Sequence, residues 1–281
     1  MPHRTIDVPP LLILPADALI LHEEVDTRRV DPLVERLQAD GFLKNPPIAA
    51  PVDGPIGSRG RHVILDGANR TSALWKLGAS HHLVQTVNYY EVELDTWGHL
   101  ITGIPGRVFS QTLNDVGLEL ESTSRQDARR RLARREIVAS ITSPDGKVVA
   151  VRGAGSLASE TEALRQLSSI YNGRSVIHRV KTDRIADLLA YYDEVTALIR
   201  FRSYEPDDIL KLAGDGHKLP TGITRHIIYG RALRVNVPLA TLMDDKYTTE
   251  QKNEWLRDWI KQKLARREIR YYQESTFLFD E

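Results

Sequence analysis

Val63-Ile64-Leu65-Asp66-Gly67-Ala68-Asn69-Arg70-Thr71-Ser72-Ala73-Leu74-Trp75-Lys76-Leu77-Gly78 reads as a buried strand, a tight Asp-Gly turn and a helix that follows at once. A strand that delivers a helix N-terminus through glycine makes an anion site, because free backbone N–H groups and the positive end of the helix dipole converge there. The same local pattern also fits an ordinary strand-to-helix turn with a satisfied Arg70, so the rest of the chain has to decide.

Working outward, residues 11–14 and 18–21 are extended. Asp26 or Thr27 caps a helix whose apolar positions Val30, Leu33, Val34 and Leu37 fall at helical spacing before Gly41 stops it. A short strand at 48–50, a Pro/Gly-rich turn at 52–60 and a strand at 83–87 complete a compact α/β unit of residues 1–103. Beyond residue 104 come a basic helix over 125–135 and a hairpin across Ser143-Pro144-Asp145-Gly146. Helices at 159–170 and 185–191 then alternate with strands at 175–180 and 197–201. This alternation predicts a second α/β lobe over 104–245, and 246–281 reads as a capped amphipathic helix with an aromatic tail. The fold class is therefore mixed α/β (α+β).

The 281 residues balance 38 basic against 38 acidic side chains, so no global field draws the chain to nucleic acid or to an anionic membrane. No apolar run reaches membrane-span length and the N-terminus leads into no signal-peptide core, which predicts a cytoplasmic protein. The absence of cysteine excludes disulfides, thiolate metal sites, iron–sulfur clusters and cysteine nucleophiles. Gly-x-x-x-x-Gly-Lys-Ser/Thr is absent too, which excludes a P-loop kinase. Arg152-Gly153-Ala154-Gly155-Ser156 lacks the third glycine of a dinucleotide fingerprint and reads as a turn.

Three polar clusters accompany the Asp-Gly turn: Leu21-His22-Glu23-Glu24, Asp95-Thr96-Trp97-Gly98-His99 and Pro220-Thr221-Gly222-Ile223-Thr224-Arg225-His226. Singly, each reads as surface charge or core. Together, HE, DGxxR with a Leu-x-x-Leu-Gly helix, TWxH and PxGxTRxxIxGRxLxxxVPL make the chain similar to the free L-serine kinases built on the ParB/sulfiredoxin fold. The likeness runs from about residue 11 to 242 and thins through 105–200.

The resemblance implies transfer of a phosphoryl group from ATP, with ADP as the alternative donor, and with Mg²⁺, to the hydroxyl of L-serine. The product, O-phospho-L-serine, would serve siderophore or other small-molecule biosynthesis. Carried over by position, Glu23 is the general base and Asp66 a second catalytic carboxylate. The turn Gly67, Ala68, Asn69, Arg70 and Thr71, with Thr224, Arg225 and His226, holds the nucleotide, while Thr96, Trp97 and His99 hold the amino acid. Family members carry one or two histidines inside the turn where Ala68 and Asn69 stand here, and asparagine can hydrogen-bond a phosphate but cannot shuttle a proton. No metal ligands are assigned.

The rival reading is a ParB-like DNA-binding or regulatory protein, resting on Arg125, Arg129, Arg130, Arg131, Arg134 and Arg135. Asp127 and Glu136 interrupt that run, which favours a solvated helix face. Sulfiredoxin-like reduction needs a cysteine that the chain lacks. His81 and His82 diverge as neighbours and read as loop residues rather than metal ligands. Trp255, Leu256, Trp259, Ile260 and Leu264 give the last helix an apolar face for the core or for a homodimer partner.

Overall fold

Two sheets organise the chain. The computed structural model describes residues 8–55, 60–153 and 155–272. The first part comprises β1 (Leu11–Pro15), β2 (Leu19–Leu21), α1 (Thr27–Asp40), β3 (Phe42–Leu43), β4 (Ile48–Pro51), β5 (His62–Asp66), α2 (Ala68–Lys76) and β6 (His81–Thr86). After β7 (Glu93–Thr96) and β8 (Gly98–Thr102) follow α3 (Gly106–Asp115), β9 (Leu120–Thr123), α4 (Arg125–Ala133), β10 (Ala139–Thr142), β11 (Val148–Val151) and α5 (Leu157–Ser169). The chain continues through β12 (Val176–Val180), α6 (Ile185–Leu188), β13 (Val195–Phe201), α7 (Pro206–Gly214), β14 (Thr224–Ile227), β15 (Val237–Pro238), α8 (Leu239–Met243) and α9 (Thr249–Ala265).

The first sheet has the order β1-β6-β4-β5-β2, with β2/β5 and β4/β6 parallel. Alternation along its strands buries both faces: Ile13 joins Leu74, Leu37 and Leu256, while Leu14 joins Ile64, Val84 and Leu21. Helix α1 forms as its sequence predicts. The Asp26 side chain accepts from Arg28 N–H, and Gly41 ends the helix at φ 73°, a left-handed conformation that glycine adopts without a Cβ penalty.

The second sheet has the order β12-β8-β13-β10-β11-β9 and pairs antiparallel throughout. One face packs on α3, α5 and α7 through Phe109, Leu164, Leu167 and Ile209, and the other on α4 and α6 through Ala128 and Ile185. Strand β8 lies between β12 and β13, although it precedes residue 104 in the chain. The first cluster also takes in Val63, Leu65 and Tyr89, so the two sheets share one core.

Helix α9 covers the first sheet. Thr248 and Gln251 form its capping box, and Asn253 donates to Ile13 O and accepts from Ile13 N–H, which fixes the helix against β1. Tyr271 and Tyr272 of the aromatic tail are exposed, and its continuation lies outside the described residues. Contrary to the loop expectation, His81 and His82 lie in β6, so their side chains alternate to opposite faces. His82 is wholly buried beside Trp75, and burial pulls its pKa down to about 4.

Two outcomes follow from this packing. Leu256→Ala empties a fully packed position and should lower the unfolding free energy by about 2–4 kcal/mol in a urea titration. His82 stays neutral in the folded chain below the pH where its unfolded counterpart takes a proton, so stability should fall as pH drops from about 6.5 toward 4. His82→Leu should flatten that slope in denaturation curves taken across this range.

Candidate active site

Strands β2 and β5 run parallel, with Leu19 opposite His62 and Leu21 opposite Ile64. Their C-terminal ends therefore release His22-Glu23 and Asp66-Gly67 side by side, the place where open α/β sheets gather functional groups. Gly67 sits at φ 97° as the N-cap of α2, and a Cβ there would lie 3.0 Å from Pro47 and Arg70. Gly67 offers no side-chain cap, so the α2 N-terminus suits an anion. Asn69 keeps a buried amide oxygen without a partner among the described residues, whereas Thr71 turns wholly into the core.

The Arg70 guanidinium donates to Asn45 O at 2.9 Å and to Asp66 at 3.3 Å, and Arg231 pairs with the same carboxylate. Burial pushes the Asp66 pKa up, but the charges of Arg70 and Arg231, with hydrogen bonds from Arg231 and Gly67, hold it below the ordinary carboxylate value. The Arg231 segment is strapped down by Gln85, which donates to Gly230 O and accepts from Ala232 N–H. Arg231 belongs to the GR of the last motif, and no local pattern links it to Asp66.

Glu23 meets a segment some two hundred positions away. Glu24 N–H donates to Leu219 O, and Leu219 N–H donates to His22 O. Gly222 N–H then donates to Glu23 Oε2 at 2.8 Å, while Thr224 donates to Oε1 from its N–H at 2.7 Å and from its hydroxyl at 2.5 Å. A carboxylate offers about four lone-pair sites, so three donors leave one open, on Oε2. Gly222 sits at φ 79°, and a Cβ there would collide with the Arg179 guanidinium.

His22 Nδ1 donates to Ile64 O at 2.6 Å, and its Nε2 lies 2.8 Å from the Thr224 hydroxyl. That hydroxyl has a single proton and faces both Nε2 and the carboxylate. The one hydroxyl thus ties His22 and Glu23 together. Thr224, expected on the nucleotide side, is therefore a partner of Glu23 and His22 in this structure.

His99, expected at the amino acid, lies behind Gly222. It is 1% exposed, donates from Nε2 to Gly222 O at 2.9 Å and accepts at Nδ1 from the Tyr171 hydroxyl at 3.0 Å, leaving neither nitrogen for a ligand. Burial pulls its pKa down to about 4, which keeps the ring neutral and this hydrogen-bond pattern intact. His226 is also engaged: its Nε2 meets the Tyr89 hydroxyl at 2.8 Å and its ring stands edge-on to His22. Burial, and then the neighbouring His22, drive its pKa well below the usual value.

The β7/β14 pair sets Thr96 opposite Thr224 and Asp95 opposite Arg225. The Arg225 guanidinium lies 4.6 Å from the Trp97 ring centre and 3.7 Å from Asp95, so the indole and the arginine form one wall. Beside Arg70, a cleft of about 400 Å³ joins an apolar side, Leu33, Leu37 and Phe42, to the cations Lys44 and Arg234.

Other residues fall outside this cluster. Three arginines of the basic run are ion-paired: Arg131 with Glu121, Asp127 and Glu136, Arg130 with Asp127, and Arg135 with Glu205 and Asp208. Ser156 of the glycine-containing turn caps α5, and Gly153 is packed against Val138 and Glu160, while Ala154 lies outside the described residues. Among the described residues no group of three or more His, Asp or Glu side chains is placed to hold a metal ion, and no helix is long and apolar enough to cross a membrane.

No family model matches the chain. Among curated proteins it is 24% identical over 272 residues to the ATP-dependent L-serine kinase SbnI of Staphylococcus aureus, covering 96% of this chain and 97% of that one. It is 23% identical over 260 residues to the ATP-dependent L-serine kinase of Desulfurococcus mucosus, covering 86% and 93%. Among solved structures, C-terminally truncated SbnI from Staphylococcus aureus superposes with a TM-score of 0.69 at 23% identity over 92% of this chain and 97% of that one. A free serine kinase in complex with AMP superposes with a TM-score of 0.69 at 20% identity over 85% and 95%. Over nearly its whole length this chain is thus similar to these serine kinases, and it carries their fold.

Proposed function

We propose that this protein is an ATP-dependent L-serine kinase that makes O-phospho-L-serine, with Glu23 as the base that takes the serine hydroxyl proton. One observation carries the assignment of Glu23. Its carboxylate is held by three donors with one Oε2 lone pair left open, at the strand ends that also present the Asp66-Gly67 turn. Phosphoryl transfer asks a protein mainly for positioning and charge stabilisation, and this site is built for both.

In this reading residues 1–103 bind nucleotide and serine, 104–245 contribute the Thr224-Arg225 pair, and α9 closes the first sheet. The α2 N-terminus and Arg70 receive phosphate oxygens, and the apolar side of the neighbouring cleft receives the base of the nucleotide. Arg225, stacked on Trp97, reaches toward the nucleotide phosphates, and Trp97 with Thr96 faces the zwitterionic acceptor. Gly222 and His99 act behind Glu23 and fix where its open lone pair points. Mg²⁺ suits a site with a single turn carboxylate, because the ion takes most of its ligands from phosphates and water. Asp66 is the residue that would approach it, and the bound ion would neutralise phosphate charge. The protein would act in the cytoplasm and supply phosphoserine to siderophore or other small-molecule biosynthesis.

The direct test is ³¹P NMR of purified protein with Mg²⁺, L-serine and either ATP or ADP. Phosphoserine should appear with ATP, and its absence with both donors would overturn the assignment. Glu23→Gln should keep nucleotide affinity in calorimetry and lose at least about a hundredfold in turnover, the lower range for a general base. Arg70→Ala should weaken nucleotide binding about tenfold to a hundredfold, the loss expected for a charge-assisted hydrogen bond. His99→Asn should lower kcat with nucleotide affinity unchanged, because it loosens Gly222 and touches no ligand. A raised serine KM at unchanged kcat would return His99 to the acceptor pocket.

A further inference from the structure

We propose that the cleft between α4, the loop of residues 181–183 and the second sheet is a binding site for a small dianionic ligand, a phosphomonoester or a dicarboxylate, distinct from the phosphate-binding turn of the kinase site. The cleft measures about 440 Å³ and is lined by four cations, Arg125, Arg129, Lys181 and Arg200, against two carboxylates, Asp95 and Asp183.

Arg200 is its floor. It stands in β13 opposite Ser140 of β10, and its side chain lies over Gly98 of β8, where a Cβ would come within 3.0 Å of it. Glycine at that position is what lets a long side chain lie flat on the sheet. The half-buried guanidinium donates only to backbone carbonyls, Lys181 O at 3.1 Å and Val180 O at 3.5 Å, and no carboxylate lies within ion-pair distance among the described residues. Desolvation lowers its pKa, and the nearby carboxylates of Asp95 and Asp183 offset this only in part. Burying a charge without a partner is costly, and an anion would offset that cost.

The surroundings strengthen the case. Arg125 and Arg129 are four residues apart and share one face of α4, and Arg125 and Lys181 likewise have no carboxylate partner among the described residues. Both acids at the cleft have an arginine other than Arg200: Asp183 lies 4.0 Å from Arg129, and Asp95 lies 3.7 Å from Arg225. Cations thus exceed acids by two, which matches a dianion. Ser140 and Thr142 add hydroxyl donors on the same face. The volume suits a small molecule rather than a polymer. Alternation along β13 turns Arg200 away from Ile199, which packs in the core with Ile223 of the Glu23-binding segment, and Asp95 and Thr96 form the edge nearest that segment.

Isothermal titration of the full chain with inorganic phosphate and, separately, malonate tests the site against three variants. Wild type should bind at least one of the two anions. Arg70→Ala, which disables the turn, should retain that binding, while the Arg125→Ala/Lys181→Ala double variant should bind at least tenfold more weakly. Arg200→Met should abolish binding, and the surface double variant keeps the test decisive if Arg200→Met does not fold. Preference for phosphate would identify a phosphomonoester, and preference for malonate a dicarboxylate. Absence of binding of either anion to wild type up to about 10 mM, a range that covers weak millimolar sites, would overturn the proposal. So would binding that vanishes in Arg70→Ala and persists in the double variant.

Discussion

The hold of residues 222–224 on the Glu23 carboxylate is the contact that the rest of the site depends on. Two backbone N–H groups and one hydroxyl converge on a single side chain that follows a short parallel strand. Hydrogen bonds to an ionised acceptor are among the stronger polar contacts in proteins, and in a site shielded from water they also set direction. The direction matters most here, because only the lone pair left open can meet a substrate hydroxyl.

That hold is supported from behind. Gly222 presents its N–H to Glu23 and its carbonyl to His99, and His99 is in turn bonded to Tyr171 just beyond α5. The same glycine needs a left-handed backbone and leaves room for Arg179. On the other flank Arg165 of α5 pairs with Glu24, and the Thr221 hydroxyl donates to Glu24 O. Both sheets, α5 and the 219–227 segment therefore meet at two adjacent glutamates, one facing the site and one bracing it.

Much of the fold was legible from local pattern. Helix α1 begins at Asp26 and ends at Gly41 because a side-chain cap and a left-handed glycine act within one turn of the residues that they serve. The hairpin of β10 and β11 follows its Asp-Gly signal for the same reason. Helices α3 and α7 were missed, and the His81-His82 strand was misread, because those assignments depend on which neighbouring surface each segment covers. Alternation in β6 only becomes visible once β1 and β4 pair with it.

The site divides in the same way. Sequence by itself determined the Asp-Gly turn, its glycine N-cap and the residue types that could hold an anion or take a proton, since these rest on chemistry and on spacing within a few residues. Only the tertiary structure decided partners. It set Thr224 against Glu23 and His22, withdrew His99 behind Gly222, brought Arg231 onto Asp66 and gave Arg200 only backbone carbonyls as hydrogen-bond partners. Each of those outcomes joins residues separated by many positions, and no local rule states which donor will reach which acceptor until strand pairing and packing have fixed both ends.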